Sequence, residues 1–125
     1  DFYSYYNLGI AGGTFIAEAY KLVNRLVAEE KLAGDYNIYV FQGTDGDDQN
    51  REGAEALEEL GALLKYVSRI GITIVGNAGG TSMEEYLGRS GLLREKRQLL
   101  RLSVLRPDAT EEELIAGIRN LVSET

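Results

Sequence analysis

The sequence predicts an α/β fold: a parallel sheet with helices on both faces, in a three-layer Rossmann-like arrangement. Three observations carry this. Short β-branched or aromatic runs occur at 38–41 and 72–75, an alternating apolar stretch lies at 100–104, and stretches of helical periodicity lie between and around them. The intervening stretches are long enough to cross the sheet, as parallel pairing demands. The resulting order of helix, strand, helix, strand, helix, strand, helix suits a parallel sheet with right-handed connections.

The first helix is expected over 14–31, where Ile16, Tyr20, Val23 and Val27 recur at helical spacing, with Leu22 and Leu26 beside them and Gly34 as its stop. The run 38–41 is short, apolar and without polar alternation, which reads as a strand buried on both faces. A second helix is expected over 51–69, with Ala54, Leu57, Leu60, Leu64 and Val67 in one stripe and Gly71 beyond its end. A second buried strand follows at 72–75. Ser82 and Glu85 have capping-box spacing and open a short helix that Gly88 breaks after Leu87. A basic connector (Arg94, Lys96, Arg97) leads to 100–104, whose clean alternation marks a wet face or an edge position. Pro107 ends that strand. Thr110 and Glu113 form another capping box, and Leu114, Ile118 and Leu121 stripe the last helix.

Composition narrows the chemistry. The chain has 125 residues, 44% hydrophobic and 26% charged, which fits one globular domain or a large piece of one. Its net charge is -7 and no basic stripe occurs, so nucleic-acid binding is not expected. No apolar run reaches membrane-spanning length. The absence of His and Cys removes Ser-His-Asp and Cys-His catalysis and the usual zinc ligands. Oxygen-ligand chemistry remains, suited to hard cations such as Mg²⁺. The absence of Cys also fits a reducing compartment, and a cytoplasmic location is expected.

The motifs gather at one edge. Ligands of parallel sheets sit beyond the carboxyl ends of the strands. There the first strand delivers Asp45, Asp47 and Asp48, and the second delivers the Gly76–Gly80 loop. The first helix opens at the same edge after Gly12-Gly13-Thr14. Thr14 and Asp45 can therefore approach each other from adjacent loops.

A Gly-Gly-Thr opening a helix, followed after one helix and one strand by Thr-Asp-Gly, resembles the von Willebrand factor A (vWA) domain. GIAGGTFIAEAY is similar to the segment carrying that family's metal-site threonine, here Thr14, and YVFQGTDGDD to the one carrying its aspartate, here Asp45. NIYVFQGTDGDDQN, SMEEY and DFYSYY narrow the resemblance to the uncharacterised bacterial YeaH/YhbH family, which includes sporulation-associated proteins. It covers most of the chain through Tyr86, and the tail only in pattern. The family's Asp-x-Ser-x-Ser loop has no counterpart here, and no strand precedes Thr14. The chain is therefore expected to be the carboxyl-terminal half of a vWA-like domain, lacking the first strands and first metal loop.

The resemblance implies a protein-binding module that holds one Mg²⁺ through Thr14, Asp45 and an upstream loop, the open position taking a partner's carboxylate. Gly12, Gly13, Thr44, Asp47 and Asp48 are secondary candidates for this site. Family context implies a stress or sporulation pathway alongside a serine kinase. Each residue also has a plainer reading. Thr14 is an N-cap, Asp45 an Asx-turn, and Asp47 and Asp48 are solvated or cap the next helix. The competing function is an Mg²⁺-dependent phosphoryl-transfer or hydrolytic enzyme using Asp45, Asp47 and Asp48, with Gly76, Gly79 and Gly80 on a phosphate. No catalytic motif supports it, and binding is preferred. A chain cut beside strand 38–41 exposes that strand's edge, so homo-oligomers, a swapped segment or a folded-back DFYSYYN are expected to cover it.

Overall fold

The computed structural model describes residues 16–47, 52–75 and 80–122. Helix α1 (Ile16–Glu30) leads through a 3₁₀ turn (Leu32–Gly34) to β1 (Tyr39–Thr44). Then come α2 (Ala54–Leu64), β2 (Arg69–Val75), α3 (Ser82–Ser90), α4 (Leu92–Glu95), β3 (Leu100–Leu105) and α5 (Glu111–Val122). The three strands are parallel and lie in the order β1-β2-β3, with Val40 opposite Ile70 and Ile70 opposite Leu100. The predicted α/β architecture is what forms. Among the described residues no helix is long and apolar enough to cross a membrane.

Strand periodicity sorts the core. Ile70, Ile72 and Ile74 alternate onto one face of β2, and each is fully buried. They join Ile16, Ala17 and Tyr20 of α1, Ala56, Leu60 and Leu63 of α2, and Met83, Tyr86 and Leu87 of α3 in one cluster. Burying each isoleucine contributes roughly 1.5–3 kcal/mol, which makes this face the main source of stability. A polar brace locks α1 to α2. Tyr66 donates its hydroxyl to Asn24 Oδ1 at 2.6 Å, and Asn24 Nδ2 donates to the Glu59 carbonyl and Oε1 at 3.1 and 3.0 Å. Burial, reinforced by the Glu59 charge, pushes the Tyr66 hydroxyl pKa up to about 12.

Helix α5 takes the other face, and glycine permits its approach. A Cβ at Gly117 would fall 2.7 Å from Ser103 Oγ of β3. A Cβ at Gly71 would meet Phe41 Cδ1 at 2.9 Å and Leu121 Cβ at 3.2 Å, so Phe41 and Leu121 flank a strand with no side chain between them.

Several sequence expectations are corrected. Strand 38–41 is not buried on both faces: β1 runs to Thr44, and Tyr39 and Phe41 are 59% and 56% exposed. The cause is the seat of α5, which packs on β3 and the near side of β2 and leaves β1 uncovered. The second helix stops at Leu64 instead of 69, because the Tyr66 and Val67 amides turn back onto the Leu63 carbonyl. Gly71 therefore lies inside a strand and not past a helix end. Gly88 does not break α3, which continues to Ser90 and ends at Gly91 in a left-handed conformation. On α5 only Leu121 of the expected stripe is buried; Leu114 and Ile118 are exposed, Ile118 beside the open surface of β1. The outer position of β3 is as expected.

Candidate functional site

The carboxyl end of β1 is shaped by two successive side-chain-to-backbone bonds. Thr44 Oγ1 accepts the Gly46 amide at 3.1 Å, and Asp45 Oδ1 accepts the Asp47 amide at 3.0 Å. Short side chains that reach a backbone amide two residues on turn the chain sharply. Asp45 and Asp47 are left exposed while Gly46 between them is buried. Gly46 has φ +83, and a Cβ there would sit 2.6 Å from Thr81 Oγ1 and 2.7 Å from Ile74 Cγ2. Only glycine fits both the dihedral and the space.

The loop is docked on α3 at both of its ends. The Gly46 carbonyl accepts the Met83 amide at 2.9 Å and the Ser82 hydroxyl at 3.4 Å. At the far end Gly53, with φ +67, caps α2 directly against the ring of Tyr86. The capping box of α3 is formed by Thr81 and Glu84, one residue earlier than the Ser82 and Glu85 spacing predicts. Thr81 Oγ1 accepts the Glu84 amide at 3.3 Å, and Glu84 Oε2 accepts the Thr81 amide at 3.2 Å. Both spacings are alike in sequence. Thr81 wins because it is the residue in extended conformation before the helix, which frees Ser82 to reach Gly46.

These bonds bear on the phosphate reading. The amides of Met83, Glu84 and Glu85 are engaged by Gly46 O, Thr81 Oγ1 and Thr81 O, and Glu84 and Glu85 place carboxylates in the first turn. An anion would meet satisfied donors and like charge there. Gly80 has φ +87 and lies exposed before Thr81; Gly76 and Gly79 are outside the described residues.

Helix α1 reaches the same edge. Tyr20 donates its hydroxyl to Gln42 Oε1 at 2.7 Å, tying the second turn of α1 to the middle of β1. Four helical residues rise about 6 Å and two strand residues about 6.6 Å, so Ile16 lies near the level of Thr44. Gly12, Gly13 and Thr14, and likewise Asp48, fall outside the described residues. Of the expected metal residues the structure thus places Thr44, Asp45 and Asp47 together on one exposed turn. Among the described residues no three acidic side chains converge as metal ligands would. Gln42, Gly53, Tyr86 and Thr81, which hold the turn in place, escape sequence reasoning because each acts through a contact distant in the chain.

Residues 2–103 match the family described as Protein of unknown function (DUF444). The chain is 41% identical over 66 residues to a UPF0229 protein of Psychromonas ingrahamii, covering 50% of this chain and 16% of that protein. It is 30% identical over 105 residues to UPF0229 protein BH1031 of Halalkalibacterium halodurans, covering 78% and 27%. A UPF0229 protein of Ruminiclostridium cellulolyticum is 27% identical over 89 residues, covering 68% and 22%. The chain thus spans 16 to 27% of the length of these relatives. No solved structure matches it. The family match over residues 2–103 takes in most of the chain, and on that ground the chain belongs to the DUF444 family.

Proposed function

We propose that the chain is part of a vWA-like, Mg²⁺-dependent protein-binding module in which Thr14 and Asp45 supply metal ligands. The observation that carries this reading is the turn at 44–47. Two internal bonds and a docked glycine hold Asp45 exposed at the carboxyl edge, level with the start of α1. A carboxylate and a hydroxyl are hard oxygen donors of the kind Mg²⁺ takes. Water, residues elsewhere in the protein and a partner's carboxylate complete the shell. The metal joins two proteins, and no bond is broken.

Thr44 and Asp47 serve as support, because Thr44 is occupied with the Gly46 amide and the Asp47 amide orients Asp45. Gly12, Gly13 and Asp48 remain secondary candidates on the ground of their sequence positions beside Thr14 and Asp45.

Calorimetric titration of Mg²⁺ into the full-length protein tests this against Thr14→Ala and Asp45→Ala. Affinity should fall about tenfold or more in each variant, since losing a ligand costs at least as much as losing its supporting partner. Equal behaviour of all three proteins overturns the reading. Mg²⁺-dependent turnover of a phosphate ester, lost in Asp45→Asn, would replace it with a hydrolytic one.

A further inference from the structure

Charge is unevenly placed along this chain. Residues 89–101 carry five of its 13 basic residues and one of its 20 acidic ones, so a chain of net charge -7 holds one locally cationic stretch. The stretch comprises the end of α3, all of α4 and the connector into β3, and it reaches the amino edge of the sheet, opposite the Asp45 turn. It is fixed from beneath. Leu92, Leu93 and Leu99 pack against the core cluster, and the Lys96 carbonyl accepts the Leu99 and Leu100 amides at 2.8 and 2.7 Å. Arg101 belongs to this support: its Nε donates to the Arg97 carbonyl at 2.6 Å and its Nη1 to the Asn120 carbonyl at 3.3 Å.

Arg94, Lys96 and Arg97 have no such duty. All three are exposed, and among the described residues none enters an ion pair or a side-chain hydrogen bond. The acid between them, Glu95, folds back along α4, its Oε1 3.7 Å from where a Gly91 Cβ would stand. Helix α4 is a single turn, and its small macrodipole does not account for three cations. Nor does this surface suit apolar chain. Among the described residues no large hydrophobic is exposed between 89 and 103, and taking unpaired cations out of water is strongly unfavourable. Whatever lies over this surface in the longer protein or its complexes is therefore acidic.

We propose that Arg94, Lys96 and Arg97 form a docking patch for a short acidic segment of a partner protein. Permanent contacts bury apolar area, which this surface does not offer, whereas transient partners are captured through complementary charge. Three cations within four residues match a run of two or three carboxylates, and the arginines can grip theirs bidentately. Screening favours a short segment. Charges act over about 8 Å at physiological salt, so a peptide meets the patch alone, while a nucleic acid or a membrane also meets the acidic remainder of the chain. The patch lies at the opposite edge from Asp45 and does not depend on the metal-mediated contact proposed above.

Fluorescence anisotropy of a labelled decaglutamate peptide with the full-length protein tests this. The peptide should bind, and its affinity should fall about tenfold as salt rises from about 50 to about 300 mM. Arg94→Glu, Lys96→Glu and Arg97→Glu together should weaken it about tenfold or more, with thermal unfolding unchanged. The milder Arg94→Gln, Lys96→Gln, Arg97→Gln protein should show a smaller loss of the same kind. Arg25→Glu, Arg106→Glu and Arg119→Glu together reverse three exposed cations elsewhere and should change the affinity less than about threefold. Equal losses in the two glutamate variants overturn the proposal, because the peptide then senses only net charge. Failure of the unmodified protein to bind the peptide overturns it as well. If the charge reversal then destabilises that protein, the acidic segment belongs to its own chain. If vesicles with about 30% phosphatidylserine bind instead, and the reversal abolishes this, the patch serves a membrane.

Discussion

Gly53 lies flat against the ring of Tyr86, leaving no space for even a methyl group. The contact joins the cap of α2 to the buried side of α3 and closes the far end of the Asp-rich loop. Gly53→Ala should therefore be costly twice over, through a left-handed φ of +67 and through a clash with a ring that is 1% exposed and cannot withdraw. A loss of about 2–4 kcal/mol is expected in urea unfolding. A loss below about 1 kcal/mol would mean that the loop can lift off α3.

The capping of α3 gives a paired test. Thr81→Ala removes the acceptor for the Glu84 amide from a residue that is 5% exposed, and should cost about 1 kcal/mol or slightly more. Ser82→Ala leaves the capping box intact and removes a long bond of 3.4 Å to the Gly46 carbonyl, which the Met83 amide still satisfies, and should cost less than Thr81→Ala. The reverse order in thermal unfolding would restore Ser82 as the cap.

The Tyr66 brace predicts a pH dependence. Its folded pKa, about 12, is above the ordinary value of 10.0. A group whose folded pKa is raised adds stability below the unfolded value and loses it as pH rises toward the folded one. The contribution should be complete below pH 10 and should fade between about 10 and 12. Tyr66→Phe should flatten the stability profile in that window and cost about 1 kcal/mol at neutral pH through the lost bond to Asn24. A profile unchanged by Tyr66→Phe would show that the hydroxyl is solvated in both forms.

What was legible in the sequence depended on range. Element type and order came from periodicity, which is local: the Ile70, Ile72, Ile74 face and the α1 stripe of Ile16, Tyr20 and Val27 are where a period of two and of 3.6 would put them. The Asp45 turn was legible because Asp-Gly at a strand end is local chemistry too. Two errors came from choosing between equal local options, Ser82 for Thr81 and Gly88 for Gly91 as helix terminators. The larger error was tertiary. An uninterrupted apolar strand reads as covered on both sides, yet whether β1 is covered depends on where α5 sits, and α5 follows the close contact of Gly117 with Ser103. No periodicity encodes that contact.

The Gly117–Ser103 contact supplies the last prediction. Glycine in a helix interior is worse than alanine by about 1 kcal/mol, so Gly117→Ala should stabilise α5 if the site were open. It is not open: the new Cβ would stand 2.7 Å from Ser103 Oγ, and Ser103 is 7% exposed. The hydroxyl must rotate or the helix must back away, and the single variant should come out neutral or destabilised. Ser103→Ala removes the obstructing oxygen, and the remaining Ser103 Cβ is 3.7 Å from the new carbon, an ordinary contact. In the Ser103→Ala background Gly117→Ala should therefore gain about 0.5–1 kcal/mol, giving a double-mutant coupling of comparable size. Zero coupling in chemical unfolding would show that α5 is not seated by this contact, and the open face of β1 would then need another cause.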